Sequence, residues 1–113
     1  MNFLEYQERA SETAIYPEAG TGTPLAVAYC GLGAAGEAGE IANKIKKMLR
    51  DDRCSLTYDR RVQIRQEIGG TLWYLSQLSR EIGFSLQEAA DENLAVLASR
   101  KERGVLTGSG DNR

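Results

Sequence analysis

From Leu25 to Arg50 the chain runs without a single proline, and no other feature limits the fold as much. Within that stretch Ala38, Ile41, Ile45 and Met48 step by 3, 4 and 3, the spacing of one face of an α-helix. At the rise per residue of a helix, such an element is more than about 30 Å long. The rest of a 113-residue chain must be built around it. A second long run, from about Arg60 to Ile82, sets Ile68, Leu72, Leu75 and Ile82 on one face before Gly83 stops it. A first, shorter helix is expected over Asn2 to Tyr16, where Phe3, Tyr6, Ala10, Thr13 and Ala14 recur near helical spacing; Pro17 and the stretch EAGTGTP at 18–24 close it. Ser85 followed three residues later by Glu88 is a capping box, and it opens a fourth helix through Leu86, Ala90, Leu94 and Leu97 to about Arg103. No segment alternates with the period of a strand. The chain therefore reads as all-α, an antiparallel four-helix-type bundle with one domain over 1–104 and a flexible tail over 105–113. A chain this short buries only about two thirds of its unfolded surface, so oligomerisation is expected to complete the bundle.

Charge and composition narrow the function classes. Fourteen Lys and Arg against sixteen Asp and Glu leave a net charge of −2, without the basic excess of a dedicated nucleic-acid binder. No apolar run is long enough to span a bilayer, and the opening MNFLEYQERASE is too acidic for a signal peptide, so a cytoplasmic protein with no membrane partner is expected. Cys30 and Cys54 stand far apart, and the chain has no histidine. That argues against a structural zinc site and a disulfide framework, and removes histidine-based nucleophilic catalysis. Any acid–base chemistry falls to carboxylates, Lys or Tyr.

The carboxylates are suggestively placed. Glu37 and Glu40 lie i, i+3 on the long second helix, on one face, with Lys44 and Lys47 extending the stripe. A solvated face of Glu–Lys pairs would look the same, but the setting GLGAAGEAGEI surrounds these acids with small residues that leave room beside them. Glu67 sits in QEIGGTLWYL, next to the apolar stripe of the third helix. A lone Glu there is ordinarily a boundary residue reaching water. If helices two and three pack antiparallel, Glu67 faces Glu37 and Glu40, and three carboxylates held together repel unless a hard cation joins them. Mg²⁺, which takes oxygen ligands and meets phosphate oxygens, suits that set. Trp73 among Leu72, Tyr74 and Leu75 reads as core or interface.

The segments EYQERASETAIYP, GLGAAGEAGEIANKIKKMLRDD, QEIGGTLWYLSQL and ENLAVLASRKERGVLTGSGDNR, in that order, resemble the MazG-like nucleoside triphosphate pyrophosphohydrolases of the all-α NTP pyrophosphatase superfamily. The resemblance implies Mg²⁺-dependent hydrolysis of a nucleoside or deoxynucleoside triphosphate to the monophosphate and pyrophosphate, with Mn²⁺ as a substitute metal and a homo-oligomer, dimer or tetramer, as the assembly. Its specific element is an ExxE on one helix followed by an ExxD on the next, which hold the metal against the triphosphate. Glu37 and Glu40 match the ExxE, and Glu67 matches the first acid of the ExxD. The resemblance also directs attention to Asn93, Tyr6 and Gln7 beside Lys44 and Lys47 as substrate-binding residues.

Two positions depart from the family pattern. Gly70 stands where the second acid of the ExxD is expected, and Val96 where a lysine often follows the asparagine matched by Asn93. Three readings of Gly70 stay open: an enzyme that fills the missing ligand with water or another residue, a catalytically weakened nucleotide-binding homologue, or an introduced inactivating change. Asp91 and Glu92 are the nearest alternative acids, provided that they face the site.

Overall fold

The computed structural model describes residues 1–111 and contains four helices with no strand among them: α1 (Phe3–Ser11), α2 (Pro24–Asp51), α3 (Tyr58–Glu81) and α4 (Leu86–Glu102). Each start is capped by a side chain from the residue before it. Asn2 accepts from the Glu5 amide at 2.8 Å, Thr23 from Ala26 at 3.4 Å with Pro24 in the first helical position, and Thr57 from Arg60 at 3.2 Å. At α4 the capping box is complete: Ser85 Oγ accepts the Glu88 amide at 3.0 Å and Glu88 accepts the Ser85 amide at 2.7 Å. Gly83, at φ +85°, and Gly104, at φ +72°, take the left-handed turn that ends α3 and α4.

The first helix is shorter than its periodicity predicts, ending at Ser11 rather than near Tyr16. Polar groups compete for its last carbonyls. Ser11 Oγ donates to Glu8 O at 2.6 Å and Thr13 Oγ1 to Ala10 O at 2.9 Å, while the Trp73 indole donates to Ala10 O at 3.2 Å and to Thr13 Oγ1 at 2.9 Å. The backbone turns there and carries Tyr16 into the interior. Gln7 ties α1 to the α3–α4 corner, donating to Ser76 O at 3.0 Å and Phe84 O at 3.2 Å and accepting the Leu86 amide at 3.2 Å.

The architecture rests on the antiparallel pair α2 and α3; α1 and α4 pack on α3 and on each other, and neither brings a Cα within 8 Å of one in α2. The core differs from the apolar stripes read in the sequence. Its buried members are Ala10, Tyr16, Ala26 and Cys30, with Ala14, Ala19, Trp73 and Leu78 packed around them and Gln7, Ser76, Gln77 and Glu81 buried as polar groups. Ile45, Ile68, Leu75, Ile82, Leu94 and Leu97 are exposed instead. The stripes are helical, but a single chain does not cover them. The accessible surface of 7794 Å² exceeds by roughly 1,700 Å² what a compact monomer of 12.4 kDa presents. The radius of gyration of 16.9 Å likewise exceeds the roughly 13 Å of a compact chain this long. No helix among the described residues is long and apolar enough to cross a membrane, and Cys30 and Cys54 are both free.

Candidate functional site

One stripe of α2 carries Tyr29, Gly33, Glu37, Glu40, Lys44 and Lys47, at steps of 4, 4, 3, 4 and 3. The α3 residues opposite it fix the register. A Cβ on Gly33 would overlap the Tyr74 ring, so the phenol lies in a notch that only glycine leaves in α2. One turn further along, a Cβ on Gly70 would lie 2.8 Å from Glu37 Oε2. Position 70 therefore faces Glu37, and its missing side chain is what admits that carboxyl.

Burial, the Glu67 carboxyl close by across the seam and the charges of Glu67 and Glu40 all push the Glu37 carboxyl above the usual carboxylate range. Among the described residues no Lys or Arg nitrogen lies within 4.0 Å of Glu37, Glu40 or Glu67. Neither does any group of three His, Cys, Asp or Glu side chains close on a common point as a ready-made metal cage. The site consists of two carboxyls pressed together, a third acid adding repulsion from α2, and a backbone gap at Gly70. Its donor set is oxygen only and unneutralised, which fits a hard cation and no soft one.

About 16 Å along α3, by the rise per residue from Gly70, which faces Glu37, to Glu81, lies a carboxylate that sequence reasoning missed. Glu81, its side chain fully buried, accepts the Tyr16 hydroxyl, the Gly20 amide at 2.8 Å and the Gly22 amide at 2.9 Å, with the Arg80 guanidinium 3.8 Å away. Burial alone would raise this carboxyl, but the donors from Tyr16, Gly20 and Gly22 and the Arg80 charge together bring it below the usual range. Gly20 at φ +83° and Gly22 at φ +70° turn their amides inward, which few other residues do cheaply. The group fastens the loop over 17–23, and with it the start of α2, onto the end of α3. Beside Arg80, Glu81 reads in sequence as an exposed charge at a helix end. The only hint of its role was the glycine–threonine alternation of a loop needing inward amides.

The remaining expected residues separate into two groups. Lys44 and Lys47 continue the acid stripe, half-buried and free of any carboxylate within 4.0 Å, so the Glu–Lys pairs of a solvated face are not formed. Tyr6, Gln7 and Asn93 stand on α1 and α4, whose backbones stay more than 8 Å, Cα to Cα, from α2. The Gln7 amide is committed to backbone groups, and Tyr6 lines a hollow of about 320 Å³ with Met1, Asn2, Phe3, Leu72 and Gln87. Asn93 is exposed, as are Asp91 and Glu92. Trp73 is core, edge-on to Tyr16 and Tyr74 with centroids at 6.1 and 5.0 Å.

The fold and the site together define the class: an all-α protein whose longest helix pair carries an unneutralised acid seam, with cationic side chains further along the same stripe. Comparison with known sequences gives the particular family. The MazG nucleotide pyrophosphohydrolase domain matches residues 30–105, and the chain belongs to that family. It is also 47% identical over 109 residues to the Gene 37 protein of Mycobacterium phage L5, covering 96% of each chain. No solved structure matches it.

Proposed function

We propose that the α2–α3 seam hydrolyses a nucleoside or deoxynucleoside triphosphate to the monophosphate and pyrophosphate. The observation that carries this reading is the Glu37–Glu67 carboxyl pair, held together opposite Gly70 with no basic side chain to neutralise it. Glu37, Glu40 and Glu67 would hold Mg²⁺, or Mn²⁺ in its place; when bound, the ion neutralises phosphate oxygens and stabilises pyrophosphate as a leaving group. Glu37, Glu40 and Glu67 also orient the attacking water, and one of them takes its proton. The water oxygen bonds to the α-phosphorus as the bridging bond to the β-phosphate breaks, and that electron pair leaves on pyrophosphate. Lys44 and Lys47 receive the far end of the triphosphate.

Glu37→Gln, Glu40→Gln and Glu67→Gln should each lower pyrophosphate release about 100-fold or more, equivalent to some 2.7 kcal/mol of barrier, with helical content intact. Full activity in two of the three would remove the assignment. Gly70 favours a second reading, a weakened homologue that binds nucleotide without turning it over, because the missing carboxylate would lie directly against Glu37. Nucleotide binding without pyrophosphate release would select it.

The same reading includes a homo-oligomer, a dimer or tetramer. The roughly 1,700 Å² of surplus surface per chain is about twice the roughly 800 Å² that one partner gives to a standard interface and is of the size that an obligate homo-oligomer buries, and the uncovered stripes on α2, α3 and α4 supply its apolar part. Light scattering at micromolar concentration should give at least twice the chain mass of 12.4 kDa; a monomer would contradict it.

A further inference from the structure

Outside the acids, the feature of the seam that the chemistry leaves unused is a run of aromatic rings. Tyr29 stacks on Tyr16 with centroids 5.4 Å apart and planes within 14°, and lies 6.4 Å from Tyr74 at a tilt of 43°. Tyr16 is itself immobile, because it is buried and its hydroxyl donates to Glu81. One face of the Tyr29 ring is thus backed by a fixed ring, yet the residue remains 41% exposed. A rigid, backed and open aromatic ring loses little freedom when a flat ligand is laid against it.

We propose that Tyr29 is the wall against which the nucleobase of the substrate stacks. This rests on the reading of the seam as a triphosphate site, and it adds the direction in which the substrate lies. Tyr29 is two turns before Glu37 on the same stripe, about 12 Å along the helix by the rise per residue. Lys44 and Lys47 continue that stripe beyond Glu40 in the opposite direction. With the reacting phosphates at the acids, the anionic tail runs toward the lysines, and ribose and base run toward Tyr29. Between them the floor is the Tyr74 ring sunk into the Gly33 notch, which leaves no α2 side chain on the stripe to obstruct the sugar. Stacking tolerates every base, so Tyr29 supplies affinity for the nucleoside half, not a choice among bases.

The test is calorimetric titration, with Mg²⁺ present, of the wild-type chain and of Tyr29→Ala, Tyr29→Leu and Tyr29→Phe. The probes are the non-hydrolysable α,β-imido analogues of the four common deoxynucleoside triphosphates, each alone, and inorganic tripolyphosphate. Loss of the ring should weaken the best-bound analogue about tenfold or more and leave tripolyphosphate unchanged. Tyr29→Phe should stay within about twofold of wild type, and Tyr29→Leu, which keeps apolar bulk without a stacking face, should behave as Tyr29→Ala. Leucine matching the wild type would overturn the proposal, as would equal losses for analogue and tripolyphosphate. So would a fall in oligomer mass with nucleotide affinity retained, which would make Tyr29 an interface residue. If all variants bind as wild type does, the stacking wall fails while the triphosphate site stands. A wild-type chain that binds neither probe would remove both.

Discussion

The helix pair α2–α3 carries two carboxylate clusters, one at its middle and one where α3 ends beside the start of α2, and they are built in opposite ways. At Glu81 the negative charge is buried but met by a hydroxyl, two backbone amides and a guanidinium, and its carboxyl sits below the ordinary range. At Glu37 the charges alongside are those of Glu67 and Glu40, and its carboxyl sits above that range. A charge satisfied from within holds the fold together, whereas one left facing its own kind costs folding energy and is retained for something brought from outside. The two clusters therefore titrate in opposite senses.

The largest expected effect is on the satisfied cluster. Glu81→Gln removes the charge and turns one amide donor toward the Gly20 and Gly22 donors, so unfolding should become easier by about 3 kcal/mol at pH 7, read by chemical denaturation. Because the folded carboxyl lies below its unfolded value of about 4.3, its contribution is present above that pH and lost as pH falls through the lower folded value. The gap between Glu81→Gln and wild type should accordingly narrow toward acid. A constant gap from pH 7 to pH 3 would mean that packing, not charge, fastens the loop.

Glu37→Gln should do the reverse, and more weakly. Its raised folded carboxyl favours the fold only while protonated, below the unfolded value, and that benefit is lost as pH rises through the folded value. In metal-free buffer at pH 7 the glutamine variant should therefore be more stable than wild type, by a few tenths to about 1 kcal/mol, and the two should converge near pH 3.5. A destabilised Glu37→Gln at neutral pH would show that the carboxyl pair is structural after all. The two clusters would then differ only in burial.

Smaller still, and dependent on metal for its sign, is Gly70→Asp. The new Cβ would meet Glu37 Oε2 at 2.8 Å, at the free end of a flexible side chain that can swing aside. A further carboxylate adds repulsion that offsets the few tenths of a kcal/mol gained by replacing glycine in a helix. Melting with chelator should change little or fall slightly, and melting with Mg²⁺ should rise together with pyrophosphate release. No metal-dependent change in either would mean that a ligand at position 70 is not what the seam lacks.

These contrasts also explain what could be read in the residues and what could not. The long α2, the capping box at Ser85 and Glu88 and the stop at Gly83 are local signals, and the helices follow them. An antiparallel pair was enough to set Glu67 against Glu37, whereas position 70, which lies against Glu37, was singled out only by the family's ExxD pattern. The end of α1 was not, because Trp73, 60 residues away from Thr13, takes part in ending it. Periodicity put Ile68, Leu75 and Ile82 on a face without saying whether the same chain covers it, and it does not. Glu81 was invisible because its partners lie 59 to 65 residues away, and no short-range pattern distinguishes a buried charge from a solvated one at a helix end.

The most direct test of the account is product analysis of the purified chain with deoxynucleoside triphosphates and Mg²⁺, comparing wild type with Glu67→Gln. The account predicts nucleoside monophosphate and pyrophosphate in equal amounts from wild type and almost none from the variant. Release of orthophosphate with a nucleoside diphosphate, or equal turnover by both proteins, would contradict it.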